Sequence, residues 1–443
     1  SDPANVFAID DIRSASGMTV QAVVATRTDV QAALDRHYRA DGELDELTTA
    51  LDADEEDEDL ASIKEVVEDA PIVKFVNLLI TQGIQDRASD IHLEPTEHDV
   101  RVRFRIDGVL HEVMRSPKSI QSGVISRLKI MADINIAERR IPQDGRLSVA
   151  ANGQKVDLRV ATLPTVWGEK MVLRILDNST AMLDLANLGF RDFNYERYSA
   201  SFGKPYGMIL VVGPTGSGKS TTLYATVNIL NRPEVNIITV EDPVEYRLAG
   251  VNQVQTHAKA GLTFAAALRS ILRSDPDIVL IGEIRDHETA QIAVESALTG
   301  HLVLSTLHTN DAPSAVTRLI EMGIEPFLVG SALDCVLAQR LARRLCPKCK
   351  EQYQPTAAAL KAAGVVLEKG QPIPKIYRAA GCSVCSRTGY KGRVALHEVL
   401  PITERIERLA VERASSAQIA TAAREEGMQT LRQDGLAKVL AGV

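Results

Sequence analysis

Hydrophobic periodicity divides this chain before any motif is consulted. Residues 193–339 alternate short continuous apolar runs with helical patterns, and the runs at 208–212, 236–240, 278–281 and 302–305 are too short to be helices. That alternation predicts an α/β domain with a parallel sheet and crossover helices. Upstream, an amphipathic helix begins at Ala70, with Ile72, Val73, Phe75, Val76, Leu78, Leu79 and Ile80 supplying a broad apolar side. The period then drops to two. Val100-Arg-Val-Arg-Phe-Arg-Ile106 and the run 109–114 flank Asp107-Gly108, which predicts a hairpin. A helix near 121–134 and strands near 154–161 and 170–176 complete an α+β domain that ends around residue 188. Arg101 and Arg103, on alternate positions, read as the wet face of its sheet.

The remaining segments are shorter. Residues 1–38 carry a strand at 20–26 and a helix at 28–38 capped by Thr28, too little to stand alone, so they read as the tail of a larger domain or a docking segment. The acidic run 43–69, centred on Asp52-Ala-Asp-Glu-Glu-Asp-Glu-Asp59, reads as a solvated linker, because like charges repel and bury no core. An apolar helix is expected at 326–340, with Cys335 as a small buried hydrophobe. Helices at 402–411, 416–425 and 428–439 predict a terminal helical subdomain. The expected division is a domain remnant at 1–42, the linker at 43–69, an α+β domain at 70–190, an α/β domain at 191–340, a cysteine module at 341–395 and a helical subdomain at 396–443.

Charge changes this picture little. The 443 residues carry a net charge of -8, but much of the acid sits in the linker, and aromatics are only 4%. Neither feature supports a nucleic-acid-binding surface. No apolar run approaches the ~20 residues of a membrane-spanning helix, and no signal peptide opens the chain, so a cytoplasmic location is expected.

The chemistry is concentrated at the ends of the apolar runs. Gly213-Pro-Thr-Gly-Ser-Gly-Lys-Ser220 follows the first run and fits the P-loop pattern, with residues 221–227 opening a helix. Its glycines let backbone N–H groups turn around a phosphate at a helix N-terminus, which favours an anion. Gly213, Pro214, Thr215, Gly216, Ser217, Gly218, Lys219, Ser220 and Thr221 are therefore candidate ATP-binding residues. Lys219 is expected to reach the β/γ-phosphates and Ser220 to ligate Mg²⁺. Asp277-Ile-Val-Leu-Ile-Gly-Glu283 is a buried strand ending in an acid, as a Walker B segment must be, with Glu283 in place of the usual aspartate. Glu241-Asp-Pro-Val-Glu245 offers carboxylates to orient the attacking water, and spacing does not choose between Glu241 and Glu245. Leu304-Ser-Thr-Leu-His308-Thr-Asn310 puts His308 where it could sense the γ-phosphate. Open α/β sheets bind ligands beyond their strand carboxyl ends, and these segments all cluster there.

Four of five cysteines form two pairs, Cys346-Pro-Lys-Cys349 and Cys382-Ser-Val-Cys385. Four thiolates suit a closed, structural Zn²⁺ site. A redox-active C-x-x-C is the alternative, though two pairs would be superfluous. A DNA-gripping role for the module would use Lys348, Lys350, Arg340, Arg343 and Arg344 as its footprint.

Taken together, the Walker A, acidic, Walker B and histidine segments resemble the secretion ATPases of type II secretion and type IV pilus assembly. The likeness extends through Ala88-Ser-Asp-Ile-His-Leu-Glu-Pro95, Phe104-Arg-Ile-Asp-Gly108 and Arg140-Ile-Pro-Gln-Asp-Gly-Arg146, and covers nearly everything from about residue 70 onward. The resemblance implies a RecA-like P-loop domain preceded by a PAS-like α+β domain. It also implies a homo-hexameric ring at the inner membrane, joined to an inner-membrane protein of the machine and free of direct nucleic-acid contact. By the same resemblance Arg159 and Arg174 swing from the first domain onto the nucleotide, Arg269 and Arg273 line the site, and Glu245 precedes Glu241 as candidate base. The tetracysteine module and the N-terminal extension are features of the assembly branch; the pilus-retraction branch is similar but lacks them.

Overall fold

A computed structural model describes Arg13, Gly17 and residues 19–21, 70–151, 154–176, 184–365, 372–385 and 387–443. The strand and helix expected within 20–38 and the acidic linker lie almost wholly outside the described residues. The chain divides into two compact units, 1–176 and 177–443.

In the first unit, α1 (Ala70–Gln85) and α2 (Gln121–Met131) cover one face of an antiparallel sheet. Its strands are β1 (Asp90–Pro95), β2 (Asp99–Ile106), β3 (Val109–Pro117), β4 (Gln143–Ala151), β5 (Gln154–Thr165) and β6 (Gly168–Leu176), in the order β3-β2-β1-β6-β5-β4. The hairpin expected around Asp107-Gly108 is present, with both turn residues left-handed (φ 49° and 86°). That backbone twist matches the strands and explains why Asp-Gly sits there. Alternation along β1 sends Ile91 and Leu93 into the core with Phe75, Leu79 and Phe104, and turns Asp90, His92 and Glu94 to the other face.

That other face is not simply wet. Glu94 is 7% exposed and is gripped by Arg101 (Nη2 to Oε2, 3.0 Å), Arg103 (Nη2 to Oε1, 2.7 Å) and Lys170 (Nζ to Oε1, 2.8 Å). Burial alone would raise its pKa, but Arg103 and Lys170 outweigh burial and hold it at about 2. Alternating arginines therefore mark a charge network across three strands. Period-two reasoning sees polarity on a face but not its partners.

The second unit is built on a seven-stranded sheet in the order β15-β12-β7-β11-β10-β8-β9. Its strands are β7 (Gly207–Val212), β8 (Ile237–Glu241), β9 (Asn252–Gln255), β10 (Ile278–Ile281), β11 (Leu302–Leu307), β12 (Leu333–Leu345) and β15 (Tyr390–Pro401), all parallel except β15; β13 (Glu351–Tyr353) and β14 (Ile376–Arg378) pair apart from this sheet, with α9 (Ala357–Ala363) between them in sequence. All six residues of β7 are buried, with Met208, Leu210 and Val212 in one core and Ile209 and Val211 in the other. A strand covered on both faces reads as a continuous apolar run, which is why the sequence pattern located it. The crossover helices are α4 (Lys219–Leu230), α5 (Phe264–Ile271), α6 (His287–Leu298) and α7 (Pro313–Glu321), preceded by α3 (Asp192–Phe202).

Three expectations need correction here. The helix expected at 326–340 is α8 (Pro326–Ala332) followed directly by β12, so Cys335 lies on a strand, although it is the fully buried small residue expected. An unbroken apolar run does not distinguish a helix from a strand, and pairing with β7 and β15 decides it. The borders expected at 340/341 and 395/396 fall inside β12 and β15, which pair with each other over Cys335 to Leu345. The C-terminal helices α10 (Glu404–Val411), α11 (Ser416–Glu425) and α12 (Leu431–Leu440) complete the core rather than form a separate body. Ile406, Ala410, Ile419 and Ala422 share one cluster with Leu210 and Val279. Asp434 of α12, fully buried, accepts from the His397 N–H (3.0 Å) and from Asn194 Nδ2 of α3 (3.3 Å).

Candidate functional site

β7 delivers the chain into the P-loop, and α4 takes it away. Gly218 caps α4 in a left-handed conformation (φ 87°), which a side chain would strain. Pro214, Thr215, Gly216 and Ser220 are exposed, Thr221 is half-buried and Ser217 is buried. Lys219 Nζ donates to the carbonyls of Gly213 (2.9 Å) and Pro214 (3.2 Å), so its charge lies inside the loop's curve. Burial lowers its pKa, Glu283 opposes the shift and Arg340 adds to it.

The acidic and histidine segments converge as parallel strand order requires. β10 pairs β8 on one side and β11 on the other, so the residues following each strand leave from one edge. Glu283, two residues beyond β10, contacts Arg285 (2.6 Å) and His308 Nε2 beyond β11 (3.4 Å). The two carboxylates left open by spacing differ sharply. Glu241 is 4% exposed and accepts from the Tyr224 hydroxyl, Thr239 Oγ1 (2.6 Å) and Gln253 Nε2 (3.2 Å). Burial raises its pKa against those donors. Glu245 sits on the loop beyond, half-buried, its N–H donating to the same Tyr224 hydroxyl (3.3 Å).

The four arginines fall in two places. Arg269, in the last turn of α5, pairs with Glu288 of α6, and Arg273 Nη1 donates to the Arg269 carbonyl (2.7 Å). Arg159 and Arg174 lie in the first unit, directly opposite each other on β5 and β6, with Arg174 Nε on Asp90 (2.9 Å).

On β12, Gln339 escaped the sequence reading and Arg340 entered it only as part of the DNA footprint. Gln339, 2% exposed, donates from Nε2 to the Ser217 carbonyl (2.9 Å) and accepts at Oε1 from Thr222 of α4 (2.7 Å). Arg340 Nη2 reaches the Asn310 carbonyl (2.9 Å) and Oδ1 (3.2 Å), tying β12 to the segment that carries His308. The available signal was a glutamine directly after the apolar run 335–338; such a residue is rarely buried without partners.

The cysteine pairs meet where β12 ends and β15 begins. The sulfurs of Cys346, Cys349, Cys382 and Cys385 all lie within 4.8 Å of one another, with the separations 346 to 382, 349 to 385 and 382 to 385 at 3.9, 3.7 and 3.7 Å. A disulfide needs about 2 Å. A tetrahedron of sulfurs 2.3 Å from a central Zn²⁺ has edges of about 3.8 Å, so the donor set fits that ion. Backbone N–H groups of Gly381, Cys382 and Gly389 point at the sulfurs at 3.2 to 3.3 Å, as outer-shell donors to thiolates do. Burial pushes the Cys385 thiol up, but the N–H groups of Cys382 and Gly389 bring it down to about 7. The basic footprint weighed for DNA is largely engaged internally: Arg340 on Asn310, Arg343 stacked over Tyr390, and Lys350 over Tyr377. Among the described residues no helix is long and apolar enough to cross a membrane.

Comparison with known proteins gives the family. The description Type II/IV secretion system protein matches residues 65–443, and an MshEN domain description matches residues 1–44. The type IV pilus assembly ATPase PilB of Myxococcus xanthus is 50% identical over all of this chain and 79% of its own length. The type II secretion system protein E of Pseudomonas aeruginosa is 47% identical over 96% of this chain and 83% of its own. Among solved structures, the pilus retraction motor PilT with bound ADP aligns with a TM-score of 0.55 and 26% identity, over 82% of this chain and 92% of that one.

Proposed function

The chain belongs to the type II/IV secretion system protein family and is an ATPase, and we propose that it works as a hexameric motor on the cytoplasmic side of the inner membrane, assembling pilin or pseudopilin subunits. The observation that carries this reading is the meeting of the P-loop, residues 241–245, Glu283 and His308 at the carboxyl ends of β7, β8, β10 and β11. Lys219 and the loop's N–H groups would hold the β- and γ-phosphates of ATP. Ser220 and Glu283 would hold Mg²⁺, which when bound neutralises phosphate charge. Glu245, on the more open loop, is the better placed of the two glutamates to orient water, and Glu241, held by three donors, fixes the end of β8. His308 reads the γ-phosphate through its contact with Glu283. Arg159 and Arg174 of the first unit complete the site when that unit closes, with Arg269 and Arg273 lining it. The four thiolates hold a structural Zn²⁺, and an inner-membrane protein of the machine is the docking partner.

The test uses the full chain. Lys219→Ala should abolish tight ATP binding with the fold intact, whereas Glu283→Gln should bind ATP within a few-fold of the parent and lose about 10²- to 10³-fold in kcat. ATPase activity should rise with anionic lipid and the cytoplasmic part of a membrane partner. Stimulation by DNA alone, or near-normal phosphate release from either variant, defeats the reading.

A further inference from the structure

Ala338 is the last β12 residue paired with β7, opposite Val212, yet β12 continues to Leu345. Its extra length runs beside the P-loop, and Gln339 is the first residue of that extension. The contact is close on both sides of the loop. A Cβ on Gly218 would stand 2.8 Å from Gln339 Nε2, and one on Gly213 would stand 2.6 Å from the Gln339 carbonyl. Both glycines therefore have a reason to lack side chains that comes from β12, besides any that comes from phosphate.

The amide bond supplies the consequence. A trans peptide is planar, with its C=O and the following N–H pointing in opposite directions. Gln339 Nε2 draws the Ser217 carbonyl toward β12 at 2.9 Å, so the Gly218 N–H must point away from β12, toward the inside of the loop. The Gln339 amide keeps this orientation because a flip would set its Oε1 against the Ser217 carbonyl oxygen, two acceptors face to face, whereas as it stands Oε1 accepts from Thr222 Oγ1 at 2.7 Å. We propose that Gln339 is a positioning residue that presets the Ser217–Gly218 peptide of the P-loop for phosphate binding. This rests on the reading of the loop as the ATP site and adds a residue on a strand that the P-loop pattern does not include.

The experiment compares variants of the full chain. Gln339→Met keeps the volume and removes both hydrogen bonds. It should raise the KM for ATP and the Kd for ADP about tenfold to a hundredfold, the scale of losing an oriented donor in a buried site. The phosphate contact is made in ground state and transition state alike, so kcat should stay within about threefold of the parent. Thr222→Val removes the other bond of the same amide and leaves the Ser217 contact. Both variants should lower the melting temperature by similar amounts, yet Thr222→Val should keep KM within about threefold. An unchanged KM in Gln339→Met, a fall in kcat alone, or an equal rise of KM in Thr222→Val would overturn the positioning role. Lys219→Ala separates the two levels of inference. ADP binding lost there but kept in Gln339→Met overturns only the role of Gln339, and a parent that binds no nucleotide overturns the reading beneath it.

Discussion

The cysteine cluster and the nucleotide site are assembled in opposite ways. Each cysteine pair is a local knuckle, and the two pairs come together because Cys346 follows the last residue of β12 and Cys385 precedes β15, two strands paired side by side. The nucleotide site draws on four strands and the loops after them, joined only by sheet order. A local site should fail locally, and a site assembled by topology should fail in function before it fails in fold. The cluster offers the largest effect. Removing the metal, or Cys382→Ser, should free residues 346–389 to hydrogen exchange while β7, β8, β10 and β11 stay protected, because structural Zn²⁺ contributes about 10 kcal/mol or more of binding to folding. Elemental analysis should find about one zinc per chain. Collapse of protection across the whole second unit would erase the distinction.

Arg159 and Arg174 test the other half. Removing either guanidinium should lower kcat on the order of 10³-fold, as arginine fingers do, with ATP affinity and oligomer mass little changed. Parent-like hydrolysis by both variants would mean that closure of the first unit is not coupled to chemistry.

The same contrast explains what the sequence disclosed. The P-loop, the Walker B strand and both cysteine pairs are local patterns, and each fell where its spacing put it. β7, β10 and β11 were legible because burial on both faces leaves continuous apolar runs. β12 was misread as helix because its strand character comes from β7 and β15, which lie far away in sequence. Gln339 was missed, and Arg340 weighed only for DNA, for the same reason: their partners, Ser217, Thr222 and Asn310, are neighbours only once the sheet is ordered. The difference in surroundings between Glu241 and Glu245 was illegible too, because it depends on Tyr224, on another element.

Tyr224→Phe sharpens this point with a smaller effect. It removes one of three donors to a buried carboxylate and should cost about 1 to 3 kcal/mol of stability. With Glu241 less well held, the 241–245 loop should loosen and kcat should fall more than KM rises. Thermal unfolding and steady-state kinetics on one preparation check both. A variant that loses stability at unchanged kcat would separate the end of β8 from the reaction.

The smallest effect is expected in the first unit, where another topologically assembled group can be dissected by pH. Glu94 draws Arg101 from β2, Arg103 from β2 and Lys170 from β6, so no single partner is indispensable. Arg101→Ala should therefore cost only about 1 kcal/mol, the upper range for a partly exposed ion pair. Glu94→Gln removes the shared acceptor and should cost more. Its pH dependence has a definite sign. The folded pKa of Glu94 is depressed to about 2, from an ordinary value of 4.5. The unfolded chain thus takes up the proton first, and the stabilisation is fully present above about pH 4.5 and lost as pH falls toward 2. The stability gap between the parent and Glu94→Gln should be widest near neutrality and should close on acidification through that window, read as hydrogen-exchange protection of β1, β2 and β6 in the full chain. A gap that is constant from pH 6 to pH 3 would mean that the arginines on this face do not act through Glu94, and that the face is wet after all.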